Sequence, residues 1–295
     1  MKGRILHSLS GFYDILGNDN HVYRTRARGN FRKRGITPLV GDFVEFDQGY
    51  LLKVLSRTNQ LLRPPVANIN QVVIVVSARE PDFSSNLLDR FLIYLAAQKI
   101  NGIIYLTKTD LLTDEQYQQL TSLLVGYQKL GYQVFAPRQI YDLKTLQKLQ
   151  ELFANKVTIF TGQTGAGKSS LLNHLLPGLQ LATGEISQSL NRGRHTTRQV
   201  SLYQMFNGLV ADTPGFSSLN LSMLGVSLDD LAQRFPEFVT AAPYCKFRGC
   251  QHVAEPDCEV KKRLATGEIM STRYENYLQF RDELKQQRPI YNKKK

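Results

Sequence analysis

The sequence predicts a multidomain chain: a small N-terminal β-barrel over residues 1–64, a central α/β domain over 65–223 and a mainly helical, metal-binding region over 224–295. Three observations predict it. Gly162-Gln163-Thr164-Gly165-Ala166-Gly167-Lys168-Ser169 fits the pattern G-x-x-x-x-G-K-[ST], between the β-branched run Val157-Thr158-Ile159-Phe160 and Leu171, Leu172, Leu175 and Leu176 at helical spacing. Short strand-like runs divided by turn residues occupy the N-terminal part. All three cysteines lie between positions 245 and 258.

A length of 295 residues suits two or three domains, each able to bury a core. No apolar run approaches the roughly 20 residues that span a bilayer, and glycine, histidine, serine and aspartate interrupt Met1 to Leu16. The expectation is a soluble, cytoplasmic protein with no membrane partner. Lys and Arg number 37 against 25 Asp and Glu, a net charge of +12. Through Arg63 the count is 11 basic to 5 acidic, which favours a polyanion as partner, and no basic amphipathic helix or lipidation signal points to a membrane instead.

In the first part, Gly3 to Ser8, Gly11 to Leu16, His21 to Arg28, Phe43 to Phe46 and Leu51 to Leu55 read as strands, with Gly17-Asn18-Asp19-Asn20 and Val40-Gly41-Asp42 as turns. Short strands in this number suggest a barrel, with an OB-fold as the favoured case. The densest positive stretch carries Arg24, Arg26, Arg28, Arg32, Lys33 and Arg34. On a strand the alternating arginines would share one face and track phosphates, with Tyr23 and Phe31 as stacking groups. The plainer alternative is a solvated charged edge.

Arg63-Pro64-Pro65 reads as a linker. Beyond it strands and helices alternate: Val72 to Ser77, helix Leu87 to Ala97, Gly102 to Leu106, helix Asp114 to Leu130, Tyr132 to Ala136, helix Leu143 to Phe153 and the strand before the phosphate loop. Alternation of this kind predicts a parallel sheet covered by helices. Backbone N–H groups from Gly162 to Ser170 would wrap a phosphate chain, Lys168 would bridge its terminal phosphates and Ser169 would hold Mg²⁺. After a polar segment, Gly184 to Arg198, come strands Gln199 to Phe206 and Leu209 to Ala211, ending in Asp212-Thr213-Pro214-Gly215. Asp212 can accept from a water on Mg²⁺, and the Gly215 N–H can reach a γ-phosphate; a plain turn is the alternative.

Guanine presents N1–H and an exocyclic amine as donors, so a guanine site needs a carboxylate. Thr107-Lys108-Thr109-Asp110 supplies one at a strand tip, but ahead of the phosphate loop in the chain. Ligands bind at the carboxyl ends of the strands in such sheets, so spatial order decides whether the two loops meet. A circularly permuted domain satisfies that condition.

With these motifs, Gly193-Arg194-His195-Thr196-Thr197 and the cysteine cluster, the whole chain resembles the ribosome-small-subunit-dependent GTPase A family of bacteria. The resemblance implies a circularly permuted GTPase domain in which Lys108 packs along the base, Asp110 reads guanine, and Thr197 or Thr196 is the switch I threonine on Mg²⁺. Thr107 stands where the family more often has asparagine, so the local hydrogen-bond network is either weakened or replaced. Phe135-Ala136-Pro137-Arg138 occupies the place of the loop that supports the guanine. Phe216 follows the switch II glycine and cannot orient water. His195 is the catalytic candidate, by chemistry and by the resemblance, against the alternative of an exposed loop histidine.

Cys245-x4-Cys250-x-His252-x5-Cys258 offers the Cys₃His donor set of a closed, structural Zn²⁺ site, the alternative being small buried thiols. Helices are expected over Leu228 to Phe235 and Val260 to Leu284, bearing Lys246, Arg248, Lys261, Lys262 and Arg263, with Lys293, Lys294 and Lys295 at the end. That surface is either a second polyanion contact or a solvated basic face. The resemblance implies a monomer that binds GTP and GDP, docks on the small (30S) ribosomal subunit and its rRNA, hydrolyses GTP there and leaves, acting in late subunit maturation. It further suggests that motion of Asp212 to Gly215 passes along Phe216 to Met223 into the zinc region. Rival readings are an ATP-driven nucleic-acid enzyme, which Asp110 disfavours, and an RNA-binding scaffold with a nucleotide switch and negligible turnover, which Phe216 keeps open.

Overall fold

The structure is a computed structural model and describes residues 1–33, 35–175, 200–213 and 220–286. Strands β1 (Lys2–Leu9), β2 (Phe12–Gly17), β3 (Val22–Ala27), β4 (Phe43–Asp47) and β5 (Tyr50–Val54) close into a barrel in the order β1-β2-β3-β5-β4, with the one-turn helix α1 (Asn30–Lys33) between β3 and β4. Period-two alternation sends Ile5, Tyr13, Ile15, Val44, Phe46 and Leu51 inward. A register shift between Ile5 and His7 bends β1 so that it pairs with both β2 and β4. Closure leaves no bare edge, and the strand order is that of an OB-fold.

The basic stretch divides between elements. Arg24 and Arg26 lie on the exposed face of β3 with Thr25 buried between them, Arg28 follows the strand end, and Arg32 and Lys33 belong to α1. Arg34 lies outside the described residues. Phe31, expected as a stacking group, is instead buried in the core, where its apolar ring gains more than it would in water. Tyr23 donates to Asp19 and packs on Phe46.

Arg63-Pro64-Pro65 is not an open linker. It forms the end of a hairpin, β6 (Gln60–Leu62) with β7 (Pro65–Ala67), because Leu61 and Val66 on either side find cover in one apolar core that runs from the barrel to the sheet. The Arg57 guanidinium fixes the hairpin to the buried Asp42 of the barrel at 2.7 and 2.8 Å.

The α/β part comprises β8 (Gln71–Ser77), α2 (Ser85–Ala97), β9 (Asn101–Thr107), α3 (Asp114–Lys129), β10 (Gln133–Phe135), α4 (Leu143–Glu151), β11 (Val157–Gly162), α5 (Lys168–Leu175), β12 (Tyr203–Met205) and β13 (Gly208–Asp212). Its sheet runs β10-β9-β8-β11-β13-β12, parallel except for β12. Strands β8 and β11 are buried along their whole length, which explains their continuous apolar runs. The expected strand Gln199 to Phe206 is confined, among the described residues, to β12. Val200 and Leu202 ahead of it pack into the barrel side of the core, and the Leu202 N–H donates to the Leu6 carbonyl of β1 at 2.9 Å.

The C-terminal region holds α6 (Pro236–Ala241), α7 (Glu259–Ala265) and α8 (Ser271–Gln286). The expected helix Leu228 to Phe235 shrinks to a 3₁₀ turn, Leu231–Arg234, because Pro236 starts a new helix. The expected helix Val260 to Leu284 divides at Gly267, whose φ of +78° ends α7. No helix among the described residues is long and apolar enough to cross a membrane.

Candidate functional site

Parallel pairing of β11 with β13 sets Phe160 opposite Asp212, so the phosphate loop and the aspartate emerge side by side at the carboxyl ends of their strands. Gly165 and Gly167 take φ values of +81° and +80°, which a side chain would strain, and this lets the loop curl back over the start of α5. The Lys168 ammonium is paired with the Asp212 carboxylate, both largely buried. Thr213 closes the strand end through its hydroxyl, which donates to the Phe160 carbonyl at 2.8 Å.

On the other side of β8, the tip of β9 delivers Thr107-Lys108-Thr109-Asp110. The Thr107 hydroxyl lies 2.6 Å from the Ala166 carbonyl of the phosphate loop and 3.1 Å from the Val76 carbonyl of β8. It has a single proton, and the shorter contact is the one that proton serves. A hydroxyl here ties the two loops together across the sheet. Lys108, at a left-handed φ of +55°, donates from Nζ to the Glu80 carbonyl, a contact the sequence did not signal. Thr109 is buried and donates to the Pro137 carbonyl at 2.6 Å, while Asp110 is exposed. Phe135-Ala136-Pro137-Arg138 therefore lies against the Asp110 turn, and Tyr117 holds it further through the Ala136 carbonyl at 2.7 Å. His195, Thr196, Thr197, Gly215 and Phe216 lie outside the described residues.

The Cys245, Cys250, His252 and Cys258 ligand atoms lie within 4.8 Å of one another. His252 Nδ1 is 3.7 Å from Cys245 Sγ and 3.4 Å from Cys258 Sγ. Tetrahedral zinc with bonds of about 2.3 Å to sulfur and about 2.0 Å to nitrogen needs ligand separations of about 3.5–3.8 Å, so the donor set fits that ion. Burial pushes the Cys250 thiol up to about 12, so without a metal it is neutral, and only a bound cation would hold it as the thiolate. Tyr274 and Tyr277 of α8 donate to the His252 and Gln251 carbonyls at 2.7 and 2.6 Å, which ties the metal loop to the last helix.

On the barrel, the Arg24 and Arg26 guanidinium groups lie 5.1 and 4.2 Å from the Phe12 ring centre, and Arg28 lies 5.5 Å from that of Tyr50. Phe12 and Tyr50 are thus the rings that the arginines of this face lie against. A second group escaped the sequence analysis. Arg273 of α8 is buried between Asp89 of α2 and Glu237 of α6, with Asn276 and Tyr127 donating to Asp89 at 2.7 and 3.1 Å. Its signal was position: Arg273 shares the apolar stripe of Tyr277, Phe280 and Leu284.

Comparison with known proteins agrees with this geometry. A profile described as RsgA GTPase matches residues 54–222, and one described as RsgA N-terminal domain matches residues 2–49. The "Small ribosomal subunit biogenesis GTPase RsgA" of Latilactobacillus sakei is 58% identical over 299 residues, covering 99% of both chains. That of Enterococcus faecalis is 52% identical over 299 residues, covering 100% of this chain and 99% of the relative. Among solved structures, YloQ, titled a circularly permuted GTPase, superposes with a TM-score of 0.82 at 38% identity, covering 98% of this chain and 96% of that one. YjeQ from Thermotoga maritima gives a TM-score of 0.82 at 30% identity, covering 97% and 99%.

Proposed function

Because this chain belongs to the RsgA GTPase family, and is therefore a GTP hydrolase that uses Mg²⁺ with its substrate, we propose that it binds the small ribosomal subunit through rRNA, hydrolyses GTP when docked there and then leaves, acting in late maturation of that subunit. The observation that carries the reading is the bond from Thr107 to Ala166. It joins the loop suited to the base to the loop suited to the phosphates, in a sheet whose chain order is permuted. The division at 1–64, 65–223 and 224–295 corresponds in this proposal to an RNA-binding barrel, a GTPase domain and a zinc module. The protein acts as a cytoplasmic monomer.

In this reading the backbone from Gly162 to Ser170 wraps the phosphates and Lys168 leaves Asp212 to neutralise the terminal ones. Ser169, Thr197 and Asp212 would hold Mg²⁺, which would offset the charge that develops on the β-phosphate oxygens of the departing GDP. Gly215 donates its N–H to the γ-phosphate, Lys108 lies along the base, and Asp110 accepts from guanine. His195 orients the attacking water, since Phe216 has no group that can. Zn²⁺, held by Cys245, Cys250, His252 and Cys258, supplies a cross-link in place of a larger core. Arg24, Arg26, Arg28, Arg32, Lys33 and Arg34 meet RNA phosphates, the first three beside aromatic faces. The bond from Leu202 to Leu6 supports a route by which the nucleotide state, sensed at Thr197, reaches the barrel within a short length of chain.

The test is GTP hydrolysis by the zinc-replete protein alone, with small subunits and with large subunits, with ATP as the competing substrate. Stimulation by small subunits only, and of GTP only, is expected. A rate that no subunit raises would replace this reading with the switch-scaffold one. In the same assay His195→Ala is expected to lower stimulated turnover on the order of 100-fold with nucleotide affinity retained. Unchanged turnover would remove His195 from the mechanism.

A further inference from the structure

We propose that Arg138 is a positioning residue for base selection, bracing the turn that presents Asp110. The inference rests on the reading above that Asp110 recognises guanine. Asp110 sits in the 3₁₀ turn Thr109–Leu111, whose own hydrogen bonds are long: Leu111 N–H to the Lys108 carbonyl at 3.2 Å and Leu112 N–H to the Thr109 carbonyl at 3.3 Å. Such a turn supports itself weakly. Arg138 donates from Nη1 to the Thr109 carbonyl and from Nη2 to the Leu112 carbonyl at 3.1 Å. These carbonyls flank Asp110 before and after it in the chain. A planar guanidinium that touches both ends of the turn fixes their separation, and with it the direction of the carboxylate.

The loop that carries Arg138 is itself held on two sides. Pro137, next to it, accepts from the buried Thr109. Tyr141 stacks on His174 of α5, with ring centres 3.4 Å apart and planes at 10°. Because α5 starts at Lys168, the frame behind Arg138 is the phosphate-loop helix. The base-reading turn is thus referenced to the phosphate site by a route separate from Thr107.

Charge pairing does not account for the arrangement. Arg138 also meets Asp114 at 2.9 Å, but that carboxylate is 87% exposed, and a pair so solvated contributes little. The guanidinium also lies over the Tyr117 ring, 5.1 Å from its centre, which helps set the plane in which it meets the two carbonyls; its bonds to those carbonyls are geometric in effect. A correctly turned carboxylate accepts from both N1–H and the exocyclic amine of guanine; a freely turning one keeps a single bond. Hypoxanthine lacks the amine, so comparison of GDP with IDP reads the orientation of Asp110 separately from phosphate affinity. Lysine, a compact charge with no planar fork, would hold one carbonyl at most.

The experiment measures Kd for GDP and IDP by calorimetry with Mg²⁺, on the full-length zinc-replete protein and its Arg138→Ala, Arg138→Lys and Asp110→Ala variants. The parent is expected to prefer GDP by roughly 10–100-fold, the range of one hydrogen bond to a charged acceptor. Arg138→Ala is expected to narrow the preference to about threefold or less, Arg138→Lys to fall between, and Asp110→Ala to abolish it. A parent-like ratio in both Arg138 variants beside a lost ratio in Asp110→Ala overturns the bracing role alone. An unchanged ratio in Asp110→Ala overturns instead the guanine assignment beneath it. Arg138→Lys keeps the charge and stem, so its ratio decides the matter should Arg138→Ala fail to fold.

Discussion

Arg273→Met is expected to lower the melting temperature by roughly 5–15 °C, from the 3–5 kcal/mol typical of breaking a buried ion pair. Arg273 is fully buried, and so is Asp89 beside it. With the guanidinium gone, the Asp89 and Glu237 carboxylates would face each other in an apolar site without a counter-charge. Burial already pushes Asp89 above the ordinary carboxylate range while the guanidinium pulls it back, so removal of Arg273 leaves burial opposed only by the hydrogen bonds from Asn276 and Tyr127. Adding Asp89→Asn and Glu237→Gln to Arg273→Met removes both stranded charges and should recover at least half of the loss. A single variant that melts with the parent would mean that the cluster does not hold the C-terminal helices in place.

The same cluster bears on the movement expected from switch II into the zinc region. Arg90 of α2 also pairs with Glu283 of α8, and Asn86 donates to Gln279 at 2.8 Å. The C-terminal helices are therefore fixed to α2, whereas the chain entering β12 is bonded to the barrel. Among the described residues, the segment from position 200 to β12 has a backbone hydrogen bond to the barrel and none to the C-terminal region.

Removal of zinc is the second large effect. Cys258→Ala, or treatment with a strong chelator, is expected to abolish about one equivalent of bound zinc and to lower the melting temperature by more than about 10 °C, since structural zinc in small sites contributes on the order of 10 kcal/mol to folding. The near-ultraviolet signals of Tyr274 and Tyr277 should change with it, because their hydroxyls are anchored on the metal loop. Full metal content and an unchanged melt in Cys258→Ala would reduce the cluster to buried thiols.

Much of this protein was legible in its sequence, for identifiable reasons. The barrel strands and the central strands declared themselves through alternation or continuous burial, and the phosphate loop through glycines that the backbone requires. What escaped depended on partners distant in the chain. Arg138 is one arginine among many until Thr109 and Leu112 are seen beneath it. Phe31 sat in a basic stretch, and nothing local distinguished a stacking ring from a core ring. Arg63-Pro64-Pro65 had linker composition, yet the burial of Leu61 and Val66 made a hairpin of it. The long apolar stripe concealed the break at Gly267, where one left-handed residue outweighed the periodicity on both sides.

The permuted order also has a consequence in time. Thr107 and Ala166 are bonded across a sequence separation of 59 residues. At roughly 5–20 residues per second, the phosphate loop leaves the ribosome about 3–12 s after the Thr107–Asp110 turn. Throughout that interval β8 can pair with β9 but not with β11, so the edge that later lies at the centre of the sheet is bare. The barrel strands have all been synthesised by then. Synthesis thus sets an order, barrel first, the Thr107–Asp110 turn second and the Gly162–Ser169 loop third, and the nascent chain cannot hydrolyse GTP until the barrel is complete.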